Sequence, residues 1–198
     1  MKRNSFIVAI IIFIFFIISF LTNILGPLIP EIISDFQVSL TMAAFLPFSF
    51  FVAYGFLSVP SGMMVEKYGE KKVIVFAFFI SFLGALLFSV FPVFKIAMVS
   101  LFLIGAGMAM LQVSINPLLR VAGGEEHFAF NSVLAQLFFG LASFISPKVF
   151  SYLVINLDNY SSNSDAIIRM FHSLVPENLP WVSLYWLFAA ISICMVFF

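Results

Sequence analysis

Phe6-Ile-Val-Ala-Ile-Ile-Ile-Phe-Ile-Phe-Phe-Ile-Ile-Ser-Phe-Leu-Thr-Asn-Ile-Leu25 decides the fold class. It is a run of about 20 residues, and at ~1.5 Å of helix rise per residue it spans the ~30 Å hydrocarbon core of a bilayer. Ser19, Thr22 and Asn23 are its only polar members. Met1-Lys2-Arg3 in front of it imitates the start of a signal peptide. The apolar run, however, exceeds the roughly 7–15 residues of a signal core, and no Ala-x-Ala cleavage pattern follows. The stretch is a first transmembrane helix.

The rest of the chain agrees. Hydrophobic residues make up 63% of it and charged residues 9%, against roughly 25% charged in a soluble domain. So few charges cannot cover the surface of a soluble fold of this length, so most of the surface faces lipid. The 29 Phe suit that environment, where a ring meets acyl chains at no cost. Zero net charge gives no electrostatic case for nucleic acid or an acidic partner. A single cysteine, Cys194, excludes an intramolecular disulfide framework and a cysteine-built metal site.

Six segments are long and apolar enough to cross: Phe6–Leu25, Leu40–Met64, Val73–Phe91, Ile96–Leu118, Phe130–Leu153 and Trp181–Phe198. None alternates as a barrel strand would. The expectation is an all-α polytopic membrane protein whose residues 1–198 form one six-helix unit. With a cytoplasmic N-terminus, that side holds Lys2, Arg3, Lys67, Lys71, Lys72 and Arg120, and the other holds Lys95, Lys148 and Arg169. The positive-inside rule favours this orientation. It makes residues 156–180, with Asp158, Ser161, Ser162, Asn163, Ser164, Asp165 and Glu177, one long external loop that ends with Trp181 at the interface. The last segment stops at Phe197-Phe198 without the basic flank that the orientation requires, so the sequence is expected to be part of something longer.

Leu21-Thr-Asn-Ile-Leu-Gly-Pro-Leu-Ile29 and Leu111-Gln-Val-Ser-Ile-Asn-Pro-Leu-Leu119 share one pattern, at the ends of the first and fourth segments. Three-helix units repeated with inverted topology are a transporter device, and Gly/Pro interruptions at matching positions point to the binding site. Pro and Gly are also frequent in membrane helices generally, which is the structural alternative.

Between the second and third segments stands Gly62-Met-Met-Val-Glu66-Lys67-Tyr-Gly69-Glu70-Lys71-Lys72. It resembles the G-x-x-x-D-[RK]-x-G-[RK]-[RK] signature of the major facilitator superfamily, with Glu66 for the usual Asp and Glu70 at a usually basic position. Gly62 would allow close helix packing, Gly69 a tight turn, and the charges would mark the cytoplasmic surface. The plainer reading is a solvated, positively charged loop. Gly105-Ala-Gly107-Met-Ala-Met-Leu111-Gln112-Val-Ser-Ile-Asn116-Pro117, then Gly123-Gly124-Glu125 and Leu134-Ala135-Gln136, resembles the fourth and fifth helices of the fucose/galactose/glucose:proton symporters. Leu21-Thr22-Asn23-Ile24-Leu25 is similar to the first-helix pattern of the same family, the fucose permeases. The likeness covers the N-terminal half of that family's twelve helices.

The resemblance implies a fold and a site. The fold would be one major-facilitator half, two inverted three-helix repeats, apparently truncated. Asn23, Gln112 and Gln136 would stand where the family faces sugar across a central cavity, with Asn116 beside them. Asn23 replaces a titratable Asp and Gln112 a Glu, while Phe139 falls where a further amide is expected. Amides still donate to and accept from hydroxyls, but no Asp or Glu lies deep in any of the six segments, where proton relays usually sit. The alternative role of these amides is to bond neighbouring helices, worth ~0.6 kcal/mol each on average. Gly62, Glu66, Lys67, Gly69, Lys71 and Lys72 would form a cytoplasmic gating motif. Gly105 and Gly107 read as packing residues. Lys148 reads as snorkelling outward, and His127 and His172 as loop residues without a ligand set.

The function implied is secondary active or facilitative transport of a small polar solute, a monosaccharide first, by alternating access. Its partners would be the sugar, membrane lipid, a missing C-terminal six-helix half and a coupling ion, proton or sodium. Its location would be the plasma membrane, the inner membrane of a bacterium. No cofactor or metal is expected. Efflux of an apolar compound and a non-transporting six-helix scaffold are the rivals. An intramembrane enzyme is not supported, since no nucleophile–base or paired-carboxylate set lies in the segments.

Overall fold

Polar residues at the segment edges start the helices. The Asn4 side chain accepts the Ile7 N–H at 3.3 Å, and Ser39 Oγ accepts that of Met42 at 3.2 Å, each satisfying an orphan donor of a first turn. The computed structural model describes residues 4–161 and 164–197. Lys2, Arg3, Ser162, Asn163 and Phe198, all used in the sequence reading, lie outside the described residues. The helices are α1 (Ser5–Asn23), α2 (Leu25–Phe36), α3 (Leu40–Tyr68), α4 (Glu70–Val90), α5 (Phe94–Gly123), α6 (Phe128–Asp158), α7 (Ala166–Leu174) and α8 (Ser183–Phe197). Short 3-10 turns, Glu125–His127 and Pro180–Val182, lead into α6 and α8. Among the described residues there is no strand and there are six helical spans long and apolar enough to cross a bilayer.

The first span runs well past Leu25. One broken turn at Ile24 separates α1 from α2, and together they form a 32-residue span, Ser5–Phe36. Pro27 sits in the first turn of α2, where its missing N–H has no intrahelical acceptor to lose. Leu28 and Ile32, one turn apart, are fully buried and dock α2 on the bundle. The Leu21–Ile29 repeat therefore starts at the middle of its span rather than at its end. Pro117, in the matching Leu111–Leu119, interrupts nothing, since α5 is continuous to Gly123.

α5 lies at the centre. A Cβ on Gly105 would collide with the Phe50 carbonyl of α3, and one on Gly107 with the Ser81 side chain and Ala77 carbonyl of α4. One on Gly84 of α4 would come within 2.8 Å of the Ser100 carbonyl oxygen. Ser100 Oγ donates to the Gly84 carbonyl at 2.6 Å and Ser49 Oγ to that of Met98 at 2.8 Å. Such backbone approach through small residues is how helices associate where lipid removes the hydrophobic drive. α1 is fastened to α6 in a related way, Ser19 Oγ donating to Phe139 O at 2.6 Å and Ser146 Oγ to Phe20 O at 2.7 Å.

The contacts carry an inverted repeat. Exchanging α1 with α5, α3 with α6 and α4 with α8 turns the α1–α6 contact into α5–α3 and leaves α1–α5 and α4–α8 unchanged. One pair breaks the relation, since α4 and α5 pack closely while α1 and α8 meet sparsely, through Phe20 and Phe188 with ring centroids 6.4 Å apart.

The segment before α8 is more ordered than a plain loop. It contains α7, which carries His172, stacked on Tyr160 at 3.7 Å between centroids. Tyr152 O–H donates to Asp165 Oδ2 at 2.8 Å. Trp181 is not an exposed interfacial anchor: it is fully buried, donates from Nε1 to Asp35 Oδ2 at 2.6 Å, and packs on Phe36 and Phe88. A buried indole N–H needs an acceptor, and α2, longer than its apolar run, brings Asp35 to it.

Candidate functional site

Depth can be read along the helices. The midpoint of the first span falls between Phe20 and Leu21, that of α5 between Met108 and Ala109, and that of the Glu125–Asp158 span between Leu141 and Ala142. Asn23 thus lies just past the middle of its span. Gln112 and Gln136 lie about 5 Å and 8 Å from the middle of theirs. Both are displaced toward the end of the bundle that carries Asn4, the Lys67–Lys72 turn and Gly123, where the Asn4 N–H bonds the Ala122 carbonyl at 3.0 Å. Asn116 is one turn further along α5 than Gln112 and exposed.

The four amides are engaged differently. Asn23, half-buried, donates back to Ser19 O at 2.9 Å and is 3.1 Å from Ser19 Oγ, which itself reaches α6 at Phe139. Its N–H capacity serves the α1–α6 seam. Asn116 Nδ2 donates to the Gln112 carbonyl at 2.9 Å, a bond within α5 beside Pro117. Gln112 is half-buried and Gln136 exposed, and neither side chain has a hydrogen-bond partner among the described residues. Gln136 is one turn before Phe139, so it borders the seam that Asn23 reinforces. α1 stands between α5 and α6, which touch each other only lightly. The four residues are thus placed on neighbouring helices without bonding across them, apart from the link through Ser19.

Sequence reading missed Ser19 and Ser146, whose hydroxyls tie α1 to α6; a serine in an apolar run is the only signal they give. It also missed Asn131, 1% exposed on α6 with Nδ2 unpartnered, lying where a Cβ on Gly123 would be. Tyr54 is half-buried and stacked on Phe50, 6.3 Å between centroids, as a packing aromatic would be. Lys148 is exposed, its Nζ 4.1 Å from the Phe144 ring centroid one turn earlier.

The Gly62–Lys72 stretch forms the end of α3, a turn and the start of α4. The turn is one residue long: Gly69 has φ +83°, which L side chains rarely adopt, and its N–H bonds Val65 O at 2.9 Å. A Cβ on Gly62 would meet only Val113 Cγ1, at 4.0 Å, so close packing among these helices does not require that glycine. Glu66, Lys67, Lys71 and Lys72 are exposed, and none forms an ion pair among the described residues; Lys67 Nζ lies 5.1 Å from the Tyr68 ring centroid. No group of three or more His, Cys, Asp or Glu that could hold a metal occurs among the described residues.

Residues 11–198 match the family model described as Major Facilitator Superfamily. The chain belongs to the major facilitator superfamily. Among curated proteins it is 28% identical to a glucose/galactose transporter of Brucella abortus, over 78% of this chain and 38% of that protein. It is likewise 28% identical to the L-fucose-proton symporter of Escherichia coli, over 90% of this chain and 41% of that protein. Among solved structures it is similar to a major facilitator transporter, FucP, in the outward conformation, with a TM-score of 0.70 and 25% identity over 96% of this chain and 48% of that one. The chain thus spans from about two-fifths to half the length of these relatives. Its six spans correspond to one half of a FucP-like major facilitator transporter, and its relatives are transporters rather than enzymes.

Proposed function

We propose that these helices form one wall of a sugar transporter that works by alternating access, with a second six-helix half as the other wall. The observation that carries this reading is that Gln112 and Gln136 keep their side-chain hydrogen bonds free, at similar depth on two helices beside α1. Asn23 and Asn116 have spent donors on their own helices. A free primary amide offers a hydroxyl-rich solute both donors and an acceptor. The curated relatives are named as glucose/galactose transporters and an L-fucose-proton symporter, which supports a monosaccharide as the substrate class.

In this reading the N-terminus and the Gly69 turn are cytoplasmic, in the inner membrane of a bacterium, and residues 156–180 are external. Glu66, Lys67, Lys71 and Lys72, unpaired within these helices, meet the second half when the cytoplasmic side closes. Gly62, with room around it here, would give that half a close approach. If the coupling ion is a proton, no residue of this half carries it, since Glu31 lies in α2 beyond Asn23 rather than at mid-span.

The test is sugar binding by the complete transporter with Gln112→Ala or Gln136→Ala. Truncating one partner of a buried hydrogen bond costs roughly 1–3 kcal/mol, about five- to more than a hundred-fold in affinity. Each variant should weaken binding within that range at unchanged expression. Normal binding by both would take the two amides out of the sugar site and remove the main support of this reading.

A further inference from the structure

Lys71 and Lys72 open α4 as exposed residues, and neither pairs with a carboxylate among the described residues. Two apolar grooves descend from them along neighbouring faces of that helix, both bordered by the last turn of α8 through Met195 and Val196. One, about 380 Å³, runs between α4 and the face of α1 that carries Ile7, Ile10 and Ile14. The other, about 550 Å³, is lined by Val75, Phe76 and Phe79 of α4 and by Val196. Lys71 and Val75 border both. The α1 face from Ile7 to Ile14 is about 10 Å long, and the α4 face from Lys72 to Phe79 about the same. Each groove therefore has charged side chains at its mouth, Glu70 and Lys71 at the first and Lys71 and Lys72 at the second, above an apolar floor.

We propose that this end of α4 binds one anionic diacyl phospholipid, with its phosphate between Lys71 and Lys72 and one acyl chain in each groove. Charge complementarity selects the occupant. Two ammonium groups at the boundary of the hydrocarbon, without protein counter-ions, attract a headgroup that carries net negative charge, while paired apolar grooves suit two chains and offer nothing polar to a peptide. Glu70, half-buried at the rim of the first groove, and Glu66, exposed across the Gly69 turn beside Lys67, oppose the phosphate, and Lys67, Lys71 and Lys72 outnumber them three to two. This inference does not rest on the sugar assignment, and it concerns the state in which the cytoplasmic side is open and Lys71 and Lys72 do not meet the second half.

The experiment is native mass spectrometry of the complete protein, delipidated and then titrated with phosphatidylglycerol and phosphatidylcholine of identical chains. A juxtamembrane lysine contributes about five-fold to the affinity for an anionic surface. The parent protein should therefore prefer phosphatidylglycerol by about five- to twenty-five-fold, and Lys71→Gln/Lys72→Gln should erase the preference while leaving phosphatidylcholine binding unchanged. Val75→Trp, which fills the wall common to both grooves, should lower binding of both lipids. Equal affinity of the parent for the two lipids, or a preference that survives the double substitution, would overturn the site. Undiminished binding in Val75→Trp would remove the grooves from it.

Discussion

The α4–α5 and α1–α8 seams occupy equivalent places in the inverted repeat and are built in opposite ways. At the first, Gly84, Gly107, Ser81 and Ser100 let two backbones approach until a serine hydroxyl bonds the facing carbonyl. At the second, Phe13, Phe16, Ile17 and Phe20 of α1 face Ile191 of α8 across a void of about 110 Å³. Small residues create contact here and large ones prevent it, the reverse of a soluble core, because lipid solvates a phenyl ring as well as a neighbouring helix does. The difference also divides labour. The tight seam fixes α5, which carries Gln112, and the slack one leaves the rim of α1 open to the bilayer.

Two substitutions test that contrast and a third, at Gly62 of α3, tests the approach of a second half, beginning with the largest effect. Gly107→Val places branched carbons against the Ala77 carbonyl, which cannot retreat without moving α4. A loss of about 3 kcal/mol or more is expected, read as loss of monodisperse protein after solubilisation, and near-normal stability would mean that α4 and α5 are further apart than described. Gly62→Ala, at a glycine with open space, should raise helix stability by about 0.5–1 kcal/mol in thermal unfolding of the six spans. The same change should slow transport by the complete protein if Gly62 faces a second half, and unaltered transport would detach that glycine from gating. Ile191→Phe adds volume where the structure has a void, so the change should stay within about 0.5 kcal/mol. A loss as large as that of Gly107→Val would show that the α1–α8 seam is closed.

The spans were legible in the sequence because lipid exposure requires continuous apolar runs, a condition each segment meets or fails by itself. The family was legible for a related reason: Gly69 needs its left-handed backbone whatever surrounds it, and Gly105 and Gly107 sit in an apolar run that leaves packing as their role. What stayed hidden depends on partners distant in sequence. The continuation of the first helix to Phe36 rests on burial of Leu28 and Ile32, and the burial of Trp181 on an acceptor, Asp35, 146 residues away. The candidate site was half legible. Asn23, Gln112, Asn116 and Gln136 could be nominated by type and position, but Asn23 and Asn116 turn their N–H groups to their own backbones, which only the folded structure reveals. Gln112 and Gln136 are distinguished by bonds they do not make, and no residue pattern encodes that.

The one-residue turn at Gly69 has a mechanical consequence. Longer linkers absorb the swing of one helix before the next responds; a joint of a single φ/ψ pair has almost no slack. α3 is unbroken for 29 residues despite Pro47 and Pro60, a lever of about 40 Å. A tilt of about ten degrees moves its far tip by about 7 Å while the joint itself hardly shifts. α4 must then either follow as a rigid arm or twist at its first turn, where Lys71 and Lys72 sit. The short turn thus works as a crank, and the two lysines ride on its axle.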